Sequence, residues 1–285
     1  MNNYQQEIIK RFERYRPAAT YAVYPPYHVG NYLEEYFFEK FVSSAADFKK
    51  HYIPVSWTTC YNQGMTAGLQ EELNRLDPTL EYFTVSQHDD AVKEKLPPNT
   101  TCFNAGGNGG GVPIPLVCSP IPIDQSRLSQ RRDVFCSFVG SLTHPIRHSL
   151  CSALNDNSKY AIRTQHWSPA ISTEALNTFI DLTSRSVFSL CPRGYGKTSF
   201  RLYEAMQLGS IPVYVYDDPW IPFTNELDWN QFSVLISADR IHEIDHILSS
   251  IPHERIKEMQ ACLRESWQKN FTMDAVTRRI ITEIS

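Results

Sequence analysis

The chain has 285 residues, of which 42% are hydrophobic and 20% charged, the composition of a globular protein and not of a disordered one. That length fills either one large core or two cores of about 130 residues each. A net charge of −4 gives no general attraction for nucleic acid or an anionic membrane, so an anionic ligand requires a local site.

The opening MNNYQQEIIKRFERYR is too polar for a signal peptide, and residues 4 to 15 suit a short amphipathic helix. No apolar run approaches ~18 residues, so direct membrane insertion is not expected and the expected location is the cytoplasm. Tyr21 to Tyr24 is a strand candidate stopped by Pro25 and Pro26, and YLEEYFFEKFV (32 to 42) returns to helical character. Tyr52 to Trp57 and Tyr82 to Ser86 read as short buried strands alternating with helical or loop segments. The glycine-rich run Asn99 to Gly111 reads either as a linker or as a mobile active-site loop, and Val112 to Ile123 has extended propensity. Cysteines at 60, 102, 118, 136, 151, 191 and 262 show neither a CxxC pair nor zinc-like clustering and read as thiols of a reducing compartment.

A charge run, SRLSQRRD, precedes a fresh strand, VFCSFVG, and the division of the chain is placed there, giving domains of 1–132 and 133–285. The second half repeats strand, turn and helix, with strands expected at 134 to 139, 159 to 163, 187 to 190 and 211 to 216. A parallel sheet with helical crossovers accounts for these apolar runs, and ligands on such sheets sit beyond the carboxyl ends of the strands. The polar helical stretch from about 254 to 284 is free to close over either domain.

The segment CPRGYGKTSFRLYEAMQLGSIPVYVYDD, Cys191 to Asp218, looks like a phosphate loop. A Walker loop would need glycine five residues before Gly196, where Cys191 stands, and the third glycine of a dinucleotide fingerprint is replaced by Ser199. What remains is a strand-to-helix turn through Arg193, Gly194, Tyr195, Gly196, Lys197 and Thr198, with Ser199 as N-cap and orphan N–H groups suited to an anion. Lys197, Arg201 and Glu204 share a helix face, on which Arg201 or Arg193 would neutralise a diphosphate and Glu204 would accept from a ribose diol. Asp217 and Asp218 follow the strand 211 to 216 and are expected either to bind ligand hydroxyls or to cap the turn into Pro219.

With its continuation PWIPFTNELDWNQFSVLI and IHEIDHILSSIPHERIKEMQ, and with YLEEYFFEKF, YFTVSQHDD and RRDVFCSFVGSLTHPIRHSL earlier, this segment resembles the exostosin-like glycosyltransferases of family 47. The resemblance implies an α/β, GT-B-type fold of two facing Rossmann-like domains with an interdomain cleft. The first domain would bind the acceptor and the second the nucleotide-sugar donor, with Gly140 at the turn opening the second. It implies Glu204 on the donor ribose and the Arg193 to Ser199 loop round the diphosphate. Animal and plant members commonly carry a transmembrane anchor; the compactness of this chain resembles the soluble enzymes of large algal viruses, which implies the host cytoplasm, a UDP-xylose donor and a fucose-containing glycan acceptor.

Inverting transfer needs a base for the acceptor proton, and a desolvated carboxylate gains basicity. Asp89, at the end of YFTVSQHDD, is the expected base; Asp90 is its rival and His88 an orienting group. Glu34 and Glu35 form a second carboxylate pair, with solvated surface as the alternative reading. Basic residues and backbone N–H groups would stabilise departing UDP, and with no Asp-x-Asp motif the transfer is expected to be independent of metal. Arg147 or Arg163 would supply a counter-charge if the donor were a glucuronate, and Tyr27, Tyr61 and Trp220 are either sugar-stacking or packing aromatics. Two other readings stay open: a phosphoryl-transfer enzyme using Lys197, and a noncatalytic glycan-binding relative.

Overall fold

The computed structural model describes residues 1–17, 32–44, 48–117, 120–121, 123, 131–168 and 171–285. The strand expected at Tyr21 to Tyr24, together with Tyr27 and Cys118, lies outside these residues. Two parallel sheets organise the rest. The first carries β1 (His51–Tyr52), β2 (Tyr82–Ser86), β3 (Thr100–Asn104) and β4 (Val112–Pro113) in sequential order. The second carries β5 (Val134–Ser141), β6 (Tyr160–Gln165), β7 (Ser186–Pro192), β8 (Ile211–Tyr216) and β9 (Val234–Ser237) in the order β6-β5-β7-β8-β9. All their pairings are parallel.

Burial explains why the central strands were legible. Every residue of β2 is buried, and β8 is buried except at Tyr216, so both read as unbroken apolar or β-branched runs. The strand expected over Tyr52 to Trp57 ends at Tyr52, because Trp57 opens the helix Trp57–Gln63 and donates its indole N–H to Thr84 Oγ1 at 2.8 Å. The glycine run at 99 to 111 is not a linker. Its first half is β3, and its glycines permit close backbone approach. A methyl on Gly106 would lie 2.8 Å from the Asp89 carbonyl carbon, and one on Gly109 would lie 2.7 Å from Ala91 Cβ.

One apolar cluster runs through both sheets. It joins Leu33, Phe37, Phe41 and Phe83 of the first to Leu202, Tyr203 and Tyr214 of the second. The polar tail resolves into two helices, His253–Asn270 and Met273–Ile284. The first packs on the helix Phe200–Gln207, and the second on the helix Leu33–Ser43. Val276, Ile280 and Ile284 enter the shared cluster, the Ile284 carbonyl accepts from Lys49 N at 3.2 Å, and the Tyr36 hydroxyl bonds Asp274. Each fully buried Phe or Leu here stabilises the fold by about 1.5–3 kcal/mol. Among the described residues no helix is long and apolar enough to cross a membrane.

Candidate active site

In the second sheet the chain leaves β5 toward β6 on one side and returns to β7 on the other. The carboxyl ends of β5 and β7 therefore diverge and open a crevice, the usual ligand position on such a sheet. A pocket of about 370 Å³ occupies it. Gly140 and Ser141 at the end of β5 and Thr143 just beyond it line the pocket, with Gly194, Tyr195, Thr198 and Ser199 after β7. Ala175, Leu176 and Phe179 of the helix Thr173–Arg185 form an apolar wall, while Arg201 and Glu204 face it from the helix Phe200–Gln207. Asp89 reaches the same space from the first sheet.

Arg147 holds the pocket floor. It lies on the helix Pro145–Leu154, whose N-terminus His144 caps by accepting from Ile146 N at 3.4 Å. The Arg147 side chain is 8% exposed and donates to the carbonyls of Ser141 (2.8 Å), Pro192 (3.2 Å) and Arg193 (2.9 Å) and to Ser199 Oγ (3.3 Å). It thus ties the ends of β5 and β7 to the cap of the next helix. Ser199 accepts there from Arg201 N at 3.3 Å. A guanidinium and two helix N-termini consequently converge on one crevice, an arrangement that favours an anion.

Arg201 and Glu204 form an ion pair at 2.8 Å, and the Arg201 guanidinium lies 3.7 Å from the centre of the Phe179 ring. Burial pushes the Glu204 carboxyl up to about 8. The Arg201 guanidinium at 2.8 Å is the partner available to the charged form of that carboxyl.

The two aspartates after β2 differ sharply. Burial, and then the charge of Asp90, push the Asp89 carboxyl up to about 6, against the pull of Arg193, the Gly196 N–H and Arg147. Burial also works upward on Asp90, but hydrogen bonds from Asn108, Tyr195 and Lys93 outweigh it and hold Asp90 below the ordinary carboxylate range. Asp90 does not line the pocket and is the poorer base. His88 accepts from Asp90 N at Nδ1 (3.1 Å) and packs edge-on to Tyr61, and burial lowers its pKa.

Several expected ligand groups are engaged elsewhere. Arg193 bonds Asp217 Oδ1 (2.7 Å), the carbonyls of Tyr195 (2.9 Å) and Gly196 (3.2 Å), and Asn108 Oδ1 (3.4 Å), so it braces the glycine loop outside the pocket lining. Lys197 pairs with Asp218 at 2.6 Å and lies over Trp220, away from that lining. Its backbone N–H donates to Gly106 O at 2.8 Å, while the Gly196 N–H goes to Asp89. Thus Asp217 and Asp218 serve these two cations, and Gly196 serves contact between the sheets. Glu34 is neither solvated surface nor part of the pocket. At 1% exposure it accepts from Gln87 N (2.6 Å), Thr58 Oγ1 (2.8 Å) and Thr58 N (2.9 Å), anchoring the turn that carries His88 to Asp90. Trp220 is buried with its indole N–H on Asn104 O at 3.1 Å, and Tyr61, half-buried, bonds Glu94; neither lines the pocket.

Sequence reasoning gave Arg147 only a conditional part and gave none to residues 165–168, which supply Gln165, His166, Trp167 and Ser168 to the pocket rim. The arginine two residues after the helix-opening proline was the available signal for the first. The rim segment follows an edge strand and carries no glycine or apolar pattern to mark it. Arg163 is exposed and outside the lining.

Residues 98–251 match the Exostosin GT47 domain, and the chain belongs to that family. A probable glucuronosyltransferase, GUT1, of Oryza sativa subsp. japonica is 40% identical over 99 residues, covering 35% of this chain and 24% of that protein. The probable beta-1,4-xylosyltransferase IRX10 of Arabidopsis thaliana is 39% identical over 93 residues, covering 33% and 22%. The chain thus spans well under half the length of the curated relatives it matches. Among solved structures, TarM aligns with a TM-score of 0.41 at 8% identity, over 72% of this chain and 55% of that one. Two Rossmann-like α/β units meeting across a ligand crevice make the fold GT-B-type.

Proposed function

We propose that the protein is an inverting glycosyltransferase that moves a sugar, xylose as the first choice, from a UDP-sugar to a hydroxyl of a fucose-containing glycan. The observation that carries this reading is the convergence on one pocket of a raised carboxylate from the first unit, Asp89, with the buried guanidinium of Arg147 and the Arg201–Glu204 pair from the second. UDP occupies the second-unit side in this reading. Its diphosphate lies by Gly140, Gly194, Ser199 and Arg147, and its ribose by Glu204. Asp89 takes the acceptor proton as the hydroxyl attacks the anomeric carbon, the C–O bond to the β-phosphate breaks, and the electron pair leaves with UDP.

The division of labour follows from charge. A base with pKa near the working pH is half prepared to take a proton, and a fixed guanidinium stabilises negative charge on the leaving group without reorganising. Departure then proceeds on protein charge and backbone donors. The kinship to proteins named as xylosyl- and glucuronosyltransferases supports both donors, and a xylose donor has no carboxylate to neutralise. The phosphoryl-transfer alternative loses support because Lys197 is paired outside the pocket. The domain assignment proposed with this reading keeps the acceptor on the 1–132 side and the donor on the 133–285 side.

The test is a UDP-release screen across UDP-xylose, UDP-glucuronate, UDP-galactose and UDP-N-acetylglucosamine, with methyl fucosides as acceptors and the product's anomeric configuration read by NMR. A β-xyloside formed from the α-linked donor is expected. Absence of UDP release with every donor, together with absence of calorimetric UDP binding, would overturn the reading.

A further inference from the structure

Aromatic side chains are plentiful in this chain, yet among the described residues Tyr195 and Trp167 are the only exposed Phe, Tyr or Trp, at 62% and 60%. Both line the pocket. Hydrophobic burial would ordinarily claim such side chains, so their joint exposure at one cleft marks surface kept open for a ligand. Tyr195 is the one on the side of the first unit. Its hydroxyl lies 3.4 Å from Asp90 Oδ2, and its backbone is fixed, the carbonyl accepting from Arg193 Nη2 (2.9 Å) and Asn108 Nδ2 (3.3 Å). An exposed ring on an immobilised loop is already ordered and loses little entropy on binding.

We propose that Tyr195 and Asp90 form the acceptor subsite, with the Tyr195 ring stacked on the apolar face of the acceptor sugar and Asp90 accepting from one of its hydroxyls; this rests on the transferase reading above. The donor fills the second-unit pocket, so the acceptor must reach Asp89 from the remaining side, where Tyr195 stands. Asp90 receives Asn108 Nδ2 at 3.2 Å, Tyr195 Oη at 3.4 Å and Lys93 Nζ at 3.4 Å. A carboxylate accepts about four hydrogen bonds, so capacity for a sugar hydroxyl remains. Asp89 and Asp90 thereby divide two tasks between neighbouring residues: one takes the proton, and the other orients the sugar that carries it.

Saturation-transfer NMR on the full chain with UDP present, using methyl α-L-fucopyranoside and a panel of other methyl glycosides, tests the subsite. Wild type is expected to saturate the C–H protons of one sugar face. Tyr195→Phe is expected to retain that contact, and Tyr195→Ala to weaken affinity about tenfold, the size of one aromatic stack. Calorimetry of UDP on the same samples separates the two ligands, and a tenfold fall in UDP affinity in Tyr195→Ala would assign the ring to the donor and overturn the inference. Sugar contact unchanged in Tyr195→Ala, or absent from wild type for every glycoside while UDP binds, overturns the inference and spares the nucleotide assignment. Failure of wild type to bind UDP strikes the transferase reading instead.

Discussion

A Gly196→Ala variant tests whether the glycine loop is seated against the proposed base. The added methyl would lie 2.7 Å from Gly106 O and closer still to Asp89 Oδ1. Neither neighbour yields readily. Gly106 O accepts Lys197 N at 2.8 Å, the Gly106 N–H donates to Asn104 Oδ1 at 3.0 Å, and Gly106 itself is wedged against the Asp89 backbone. Overpacking of this kind costs about 1–3 kcal/mol, which lowers the melting midpoint by about 2–10 °C in a chain of this size. Displacement of Asp89 on the ångström scale should also lower turnover on the order of 10²-fold. Thermal denaturation and UDP-release kinetics read the two effects. The control is Gly64→Ala, at φ +68° with open space around it, which costs about 1–2 kcal/mol of backbone strain and leaves turnover unchanged. A Gly196→Ala protein indistinguishable from wild type in both midpoint and turnover would refute the reasoning.

Because the base must be deprotonated to act, turnover should fall as pH drops through about 6, the value to which Asp89 is raised, and an acid limb near 4 in the pH–rate profile would remove Asp89 from the role. Asp89→Asn should lower turnover by about 10²–10⁴-fold while calorimetry still detects UDP. Glu204→Gln should weaken UDP binding by about 10–100-fold, the worth of a charge-assisted hydrogen bond, with unchanged affinity counting against the ribose assignment. Burial and then the charge of Glu35 raise the Glu34 carboxyl from 4.5 to about 8 in the fold, so its contribution to stability is fully present below 4.5 and is lost as pH rises through 8. The midpoint of wild type should decline across that window and that of Glu34→Gln should be flatter; parallel curves would show that Glu34 does not titrate with unfolding.

The second unit was the more legible half, for a physical reason. Buried central strands such as Ile211 to Tyr216 announce themselves as β-branched and aromatic runs, and Ser199 marked its helix start. In the first sheet, β1 and β4 have two residues each, too few to set a period, and β3 lay hidden in a run whose glycines suggested looseness. Those glycines answer to close approach between chain segments distant in sequence, which no local pattern encodes. The same distinction separates the site residues. Glu204 and Asp89, expected from their place after a turn or strand, line the pocket, whereas Arg193 and Lys197 pair with Asp217 and Asp218 outside that lining, because sequence shows a cation but not the carboxylate that pairs with it. The place of Arg147 is hidden from sequence for the converse reason: its partners are carbonyls brought together only when β5 and β7 lie side by side.

The clasp of the helix Met273–Ile284 on the helix Leu33–Ser43 joins residues 238 apart in sequence, as in Tyr36 and Asp274. During synthesis Phe37 and Phe41 meet Tyr52 and Phe83 of the first sheet early, but the side of the earlier helix that carries Tyr36 must wait for almost the whole of this sequence to emerge before its covering arrives. A chain stopped before residue 273 would lack Val276, Ile280 and Ile284 and leave the apolar surface they cover open to solvent and to association.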